Sequence, residues 1–487
     1  MKSDHIHLRY LNPVHMKIEA EPGIIMELAD AFQWKAPNYQ FHPKYKARVW
    51  DGNISLVNRY TGIMLAGLAK RVKKFCDSRN YGFSFDREFE YDDVNEDDIL
   101  KFISTLDIPE KFQSRDYQIE SITKCISAKR RTLISPTSSG KSYMIYVITQ
   151  WFKNKKALII VPRTSLVEQM ASDFVSYGFK GKIHKSTDGL SKDANIDADI
   201  VITTWHSIDN GKYKVPNNWY PQFDLVFGDE AHTCKATILK SILEKLVNCH
   251  YRFGTTGTLD GDPLNEATIE GLFGPAFRAI STAELIEQDY APKLKIKVII
   301  LKHSEETREL AKGLSYADEI KFLTKLKSRN NFVKKLAKTL KGNKLIFFKL
   351  VDQGKTLYDL MNDGESPLYI IDGSVDVKIR ENIRHAMESQ DDVILLASLG
   401  TTSTGVSINK IKYMIAQAPS KSRTTVLQAL GRLLRLHPEI DQVYLFDIGD
   451  DLSYKKKENF TLRHLRERLK IYASENFDVE INTLEIK

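Results

Sequence analysis

Short apolar runs bounded by helical stretches recur in two series along this chain, and that rhythm restricts the fold more than any other feature. The first series is TLIS (Thr132 to Ser135), ALIIV (Ala157 to Val161), DIVITT (Asp199 to Thr204), LVFGDE (Leu225 to Glu230) and YRFGTTGT (Tyr251 to Thr258). The second begins after about residue 285 with LIFF (Leu345 to Phe348), LYIID (Leu368 to Asp372), VILLAS (Val393 to Ser398), YMIAQA (Tyr413 to Ala418) and VYLFDI (Val443 to Ile448). Runs this short and continuously apolar read as parallel strands buried on both faces, with the intervening helices covering the sheet. The expected fold class is α/β: two doubly wound parallel-sheet domains in tandem, preceded by a small α+β N-terminal domain. The expected boundaries are 1–86 for the N-terminal domain, 87–112 for a linker, 113–284 and 285–450 for the two α/β domains, and 451–487 for a C-terminal helical tail. The acidic run from Asp86 through Asp98 suits the linker, and Leu462, Leu465 and Leu469 share one face of a helix over Thr461 to Tyr472.

Length fits this plan, since 487 residues suggest three or four domains. No run of eighteen apolar residues is present, so no membrane helix is expected, and the opening MKSDHIHLRY lacks the apolar core of a signal peptide. Cys76, Cys125, Cys234 and Cys249 are far apart and form no CxxC pair. That spacing argues against a zinc site or disulfide framework and for a reducing, cytoplasmic setting. A net charge of +8 suits a polyanionic partner and a plain basic protein equally well.

Ligands of open α/β sheets bind at the carboxyl ends of the strands, and the sharpest motifs lie there. TLIS runs into SPTSSGKS and then a helical stretch. In that geometry the backbone N–H groups of Pro136-Thr137-Ser138-Ser139-Gly140-Lys141-Ser142 and the helix N-terminus surround a β-phosphate, Lys141 reaches the β- and γ-phosphates, and Ser142 ligates Mg²⁺. A glycine usually opens this motif; here the position is Ser135. GDEAH (Gly228 to His232) strengthens the reading, because paired carboxylates directly after an apolar strand are poor choices unless a cation compensates them. Asp229 would hold Mg²⁺ through water, and Glu230 would orient or deprotonate the attacking water. In the second domain QALGRLLR offers Gln428, Arg432 and Arg435, the two arginines three apart on an expected helix and able to meet developing γ-phosphate charge. ATP and Mg²⁺ are the expected cofactors. A phosphate site shared by two domains can convert hydrolysis into motion, so the chain reads as a motor.

These residues resemble superfamily 2 helicases of the DExH type over roughly 112–450. Arg115, Tyr117 and Gln118 are similar to the adenine-reading motif, VPRTSLVEQ (Val161 to Gln169) to motif Ia, TTWHS (Thr203 to Ser207) to motif Ib, and GTTGT (Gly254 to Thr258) to motif III. LIFF is similar to motif IV, TTSTGVSI (Thr401 to Ile408) to motif V, and QALGRLLR to motif VI. The resemblance implies RecA-like domains and nucleic-acid backbone contacts at Pro162, Arg163, Thr203, Thr204 and Thr401. It also implies coupling of nucleotide state to strand grip through His232, Thr256, Thr258 and Gly405. Ser407 departs from the aspartate common at its place. The whole chain further resembles phage helicases of recombination, repair and replication control. That implies action on branched, forked or junction DNA (fork regression, Holliday-junction branch migration, unwinding of RNA–DNA hybrids) in a host-cell cytoplasm, with no membrane and with protein partners unspecified.

In the N-terminal unit, KYKARVWDGNISLVNRY (Lys44 to Tyr60) sets Asp51–Gly52 between two alternating stretches, which predicts a β-hairpin. Lys44, Lys46, Arg48 and Arg59 would meet phosphates, and Trp50 would stack on a base or fill the core. Lys70, Arg71, Lys73 and Lys74 form a second basic cluster. Two other functions stay open from sequence: an RNA helicase or ribonucleoprotein remodeller, since backbone-gripping motifs do not separate RNA from DNA, and a clamp that has lost hydrolysis, for which Ser135 is the one argument.

Overall fold

The computed structural model describes residues 4–186, 196–209, 214–233, 236–258, 261–398, 408–417, 420–455 and 457–486. Contacts divide the chain into two compact units, Met1–Ser135 with Gly140–Ala279, and Pro136–Ser139 with Ile280–Lys487.

The first unit opens with β1 (His5–Tyr10), β2 (His15–Glu19), β3 (Gln33–Lys35), β4 (Asn53–Ser55), β5 (Ile63–Leu65) and β6 (Gly82–Phe85). A mixed sheet runs β5-β2-β1-β6, with β1 antiparallel to β2 and parallel to β6; β3 and β4 make a separate antiparallel pair. Alternation puts Ile6, Leu8, Met16 and Ile18 on one buried face, in a cluster with Val72, Phe75 and Cys76 of the helix Ala69–Arg79. The hairpin expected at Asp51–Gly52 is absent. Pro43 at the first helical position and the His42 ring accepting from Lys44 N–H start a short helix, Pro43–Lys46, where a strand was expected. The Asp51 carboxylate instead turns the chain into β4 by accepting from Asn53 N–H at 2.9 Å.

A seven-stranded parallel sheet follows: β7 (Arg130–Ile134), β8 (Ala157–Val161), β9 (Ile183–Ser186), β10 (Ile200–Thr204), β11 (Leu225–Gly228), β12 (Tyr251–Thr256) and β13 (Ala276–Arg278), in the order β13-β7-β12-β11-β8-β10-β9. The N-terminal core continues into one face of this sheet through Leu158, Ile160, Val201 and Val226. The close approach is set by glycine. A Cβ on Gly67 would stand 2.1 Å from the Glu270 carbonyl oxygen, and Arg71 pairs with the Glu270 carboxylate. The stretch expected as a linker holds the helix Glu96–Ser104, whose Ile99 is buried in the core on the opposite sheet face with Ile122, Met144 and Ile159. An Asn95–Asp98 capping box starts that helix, and its acidic first turn complements the helix dipole.

The second unit builds its parallel sheet from β14 (Lys293–His303), β15 (Lys344–Phe348), β16 (Leu368–Ile371), β17 (Ile394–Ser398), β18 (Tyr413–Gln417), β19 (Gln442–Asp451) and β20 (Asp478–Ile486), ordered β16-β17-β15-β18-β19-β14-β20. The tail is therefore not helical alone. Its helix, Phe460–Ser474, is followed by β20, which pairs with β14 as an edge strand. A buried ion pair ties that helix to the sheet: Arg468 Nε and Nη2 each donate at 2.8 Å to the Asp447 carboxylate, which also accepts from Tyr472 Oη at 2.9 Å. Arg468→Ala would leave Asp447 buried without its cation and is expected to lower the unfolding free energy of this unit by about 3–5 kcal/mol. Urea titration checks this, and a loss below about 1 kcal/mol would remove the pair from the account of how the tail docks. Among the described residues no helix is long and apolar enough to cross a membrane.

Candidate active site

β7 ends at Ile134, and the phosphate-loop sequence connects it to the helix Lys141–Trp151. Ser135 N–H donates to the Thr256 carbonyl at 2.8 Å, which ties the start of the loop to the end of β12. Two loop residues carry left-handed backbone, Ser138 (φ 68°) and Gly140 (φ 78°). Gly140 has no room for a side chain, since a Cβ would meet Gln118 Nε2 at 2.3 Å. Ser135 does not share that conformation, so its side chain is accepted where related motifs carry glycine. Ser139 Oγ donates to the Pro136 carbonyl at 2.7 Å, a loop-internal bond. Gln118 is buried, and its Oε1 accepts from Arg115 N–H at 3.0 Å while Arg115 Nη1 donates to Tyr117 Oη at 3.0 Å. The adenine-motif residues and Gly140 therefore lie together.

Lys141 Nζ donates to the Ser135 carbonyl at 3.1 Å and stands 3.3 Å from Glu230 Oε1. Ser142 Oγ lies 2.9 Å from the Tyr177 hydroxyl. Asp229 and Glu230 follow β11 directly, as the sequence suggested, and the environment pushes their acidities apart. Burial, reinforced by the Glu230 charge and opposed by Lys141, pushes the Asp229 carboxyl up to about 6. Burial also works to raise Glu230, but Lys141 and His232 overcome it and hold that carboxylate below its usual range. Thr255 Oγ1 donates to Asp229 Oδ1 at 2.6 Å. A buried carboxylate this short of compensating charge, with a serine hydroxyl at the start of the adjacent helix, is a donor set of the kind hard divalent cations take.

His232 reports on the same pair. Thr256 Oγ1 donates to the Thr258 carbonyl at 2.7 Å, so its oxygen is left to accept from His232 Nδ1, 2.5 Å away. His232 therefore carries its proton on Nδ1, and that nitrogen also stands 3.5 Å from Glu230 Oε2. Glu230, His232, Thr256 and Thr258 form one chain from the carboxylate pair to the end of β12. The GTTGT hydroxyls are expected from sequence to bond the carboxylate motif, and Thr255 is the one that reaches Asp229, because it alternates to the opposite face of β12 from Thr256.

In the second unit Gln428 and Arg432 lie half-buried on the helix Arg423–Leu433. That helix ends one residue before its C-cap, Leu434, so Arg435 follows the helix and does not share a helical face with Arg432. Burial lowers the Arg435 pKa. Thr401, Gly405 and Ser407 lie outside the described residues.

The expected nucleic-acid contacts divide. Pro162 and Arg163 precede the helix Thr164–Ser176, and Arg163 Nη1 is buried without a hydrogen-bond partner among the described residues. Thr203 and Thr204 are buried and internally bonded: Thr203 Oγ1 donates to the Ser186 carbonyl at 3.2 Å, and Thr204 Oγ1 caps the following turn by accepting from Ser207 N–H at 3.2 Å. In this structure both hydroxyls are used within the fold at the end of β10. Lys44, Lys46 and Arg48 are exposed. Trp50 is half-buried, donates to the Asn53 carbonyl at 2.8 Å and packs edge-on against His42; Arg59 pairs with Asp30 at 2.6 Å. Both help hold the N-terminal fold.

Known proteins resemble this chain in sequence and fold. The family described as "Type III restriction enzyme, res subunit" matches residues 111–261, and the family described as "DNA helicase UvsW, N-terminal" matches residues 5–86. The ATP-dependent DNA helicase UvsW of enterobacteria phage T4 is 32% identical over 496 residues, covering 97% of this chain and 98% of that protein. The DNA 3'-5' translocase XPB2 of Sulfurisphaera tokodaii is 28% identical over 243 residues, half of each chain. Among solved structures, that of T4 UvsW superposes with a TM-score of 0.53 at 31% identity, covering 99% of both chains. The DNA-bound restriction-modification enzyme LlaBIII gives 0.58 at 15% identity over 77% of this chain, a likeness of fold. The end-to-end identity and the matching N-terminal family place the chain in the UvsW family of ATP-dependent DNA helicases.

Proposed function

We propose that the chain uses ATP and Mg²⁺ to remodel branched DNA: regressing forks, migrating Holliday junctions and stripping RNA from RNA–DNA hybrids during recombination, repair and replication control in a host-cell cytoplasm. The observation that carries the reading is the chain of polar contacts from Lys141 and Glu230 through His232 to Thr256 and Thr258, because it joins the expected phosphate chemistry to the end of a strand of the same sheet. In this reading Lys141 holds the β- and γ-phosphates, Ser142 and Asp229 hold Mg²⁺, and Glu230 aligns the attacking water. Bound there, the cation would neutralise the phosphates and the Asp229 charge. Gln428, Arg432 and Arg435 serve the γ-phosphate, and Pro162, Arg163 and Thr401 hold a strand backbone, with Gly405 in the coupling segment. The N-terminal 1–86 unit, through Lys44, Lys46 and Arg48, adds a further grip on DNA.

The test is the ATPase rate with no nucleic acid and with single-stranded, duplex, forked and four-way DNA and RNA side by side. Stimulation by DNA, largest with branched forms, is expected. Equal rates without nucleic acid would overturn the motor reading, and stimulation best by RNA would move the substrate to RNA. The hydrolysis-deficient clamp loses its one argument, since Ser135 occupies a position whose backbone does not demand glycine.

A further inference from the structure

Within the first unit a cavity of about 860 Å³ lies where the N-terminal sheet meets the amino-terminal ends of β7 and β12. It is far from the nucleotide chemistry. Arg130 and Tyr251 begin these two strands, whereas Ser135 directly follows β7 and Thr256 ends β12, and five residues of strand span about 16 Å. Its volume is in the range of ordinary ligand sites.

Charge and shape in the cavity point the same way. Arg130 Nη1 is buried without a hydrogen-bond partner among the described residues, while Nη2 donates to the Pro13 carbonyl. Arg252 lies behind it and spends its guanidinium on three backbone carbonyls, those of Leu272 (2.8 Å), Leu246 (3.1 Å) and Leu243 (2.9 Å). Among the described residues no carboxylate forms an ion pair with either guanidinium, and burial together with the Arg252 charge pushes Arg130 down to about 10. Two neighbouring buried cations without a counter-charge are costly unless an anion visits. Lys70, Lys73 and Arg131 line the same cavity, and the two lining carboxylates, Glu88 and Glu90, are exposed.

The other walls are aromatic. Tyr10 and Phe89 meet edge to face at 5.8 Å, Phe83 and Phe85 stand 5.8 Å apart, and the Arg131 guanidinium lies 5.5 Å from the Tyr91 ring centroid. Phe85 and Tyr91 are 43% and 54% exposed, so they leave ring surface open to a flat partner. Ring faces beside fixed cations suit unpaired bases joined by phosphates, and a duplex would hide the base faces.

We propose that this cavity binds a segment of single-stranded DNA, its bases stacked on Phe85, Phe89 and Tyr91 and its phosphates held by Lys70, Arg130 and Arg131. It would be a second grip at the opposite end of the sheet from the nucleotide, and it rests on DNA being the polymer this chain handles. The full chain, without ATP, is photocrosslinked to a twelve-residue oligonucleotide carrying 5-iododeoxyuridine, and the adducts are mapped by mass spectrometry. Adducts on the segment 83–91 are expected, reduced at least tenfold in Lys70→Glu and again in Lys73→Glu, two exposed positions whose substitution is checked by an unchanged melting temperature. Adducts elsewhere but none on 83–91 would overturn the site and leave the helicase reading intact. So would a yield indifferent to both variants, while loss of the 83–91 adducts to excess thymidine monophosphate would make the cavity a free-nucleotide site. No adduct anywhere would refute the DNA reading itself.

Discussion

Lys141→Ala is expected to abolish DNA-stimulated ATP turnover, by a factor of at least about one hundred. The side chain sits where a single cation serves two tasks. Its ammonium bonds the Ser135 carbonyl that begins the phosphate loop and approaches Glu230 at 3.3 Å, so it fixes the loop and sets the charge of the carboxylate that follows β11. In the proposed role, where this ammonium would meet transferring phosphate oxygens in a largely buried site, it would be worth several kcal/mol in the transition state, because no solvent reorganises around it. The substitution also removes the strongest influence holding Glu230 below its usual range, so the residual rate should shift its acid limb to higher pH. Steady-state ATPase assays across pH, with DNA saturating, read both effects. Normal turnover in this variant would mean that the phosphate site has been assigned to the wrong residues.

How far the sequence went is visible in particular elements. Every strand carrying a catalytic motif was readable, because strands central in a parallel sheet are apolar on both faces: Ala157–Val161 and Leu225–Gly228 are buried throughout. What escaped were edges and mixed patterns. β9 and β13 lie at the two ends of the first large sheet, and β20 at the end of the second. β14 alternates lysine with apolar residues in KLKIKV, the period-2 pattern of a half-buried strand, and so falls outside the continuous apolar runs that mark the central strands. Asp51–Gly52 looked like a hairpin turn, yet a proline start and a histidine cap upstream favoured a helical turn. Arg435 was assigned to a helix that stops short of it. The buried carboxylate pair itself was legible, since no packing reason accounts for Asp229–Glu230 after an apolar strand. The contact of His232 with Thr256 was not, because it depends on which strands become neighbours.

Glu230→Gln is expected to retain ATP while losing turnover by about 10²–10⁴-fold, the usual contribution of a positioned general base or water-orienting group. The change keeps shape and removes one charge, and the surroundings divide its consequences. Glu230 is the carboxylate held ionised by Lys141 and His232, so it is the member of the pair able to polarise water near neutrality. Asp229 is the member raised to about 6, partly by the Glu230 charge. With that charge gone, Asp229 ionises more readily, so its ability to hold a divalent cation should persist to lower pH in the variant than in the parent. Binding of a fluorescent ATP analogue with Mg²⁺, measured from about pH 5 to 8 beside single-turnover hydrolysis, separates the two roles. Retained binding with lost hydrolysis assigns Glu230 to the water. Loss of binding would instead make Glu230 a structural anchor for Lys141 and return the catalytic task to another group, and full turnover would exclude Glu230 from the chemistry altogether.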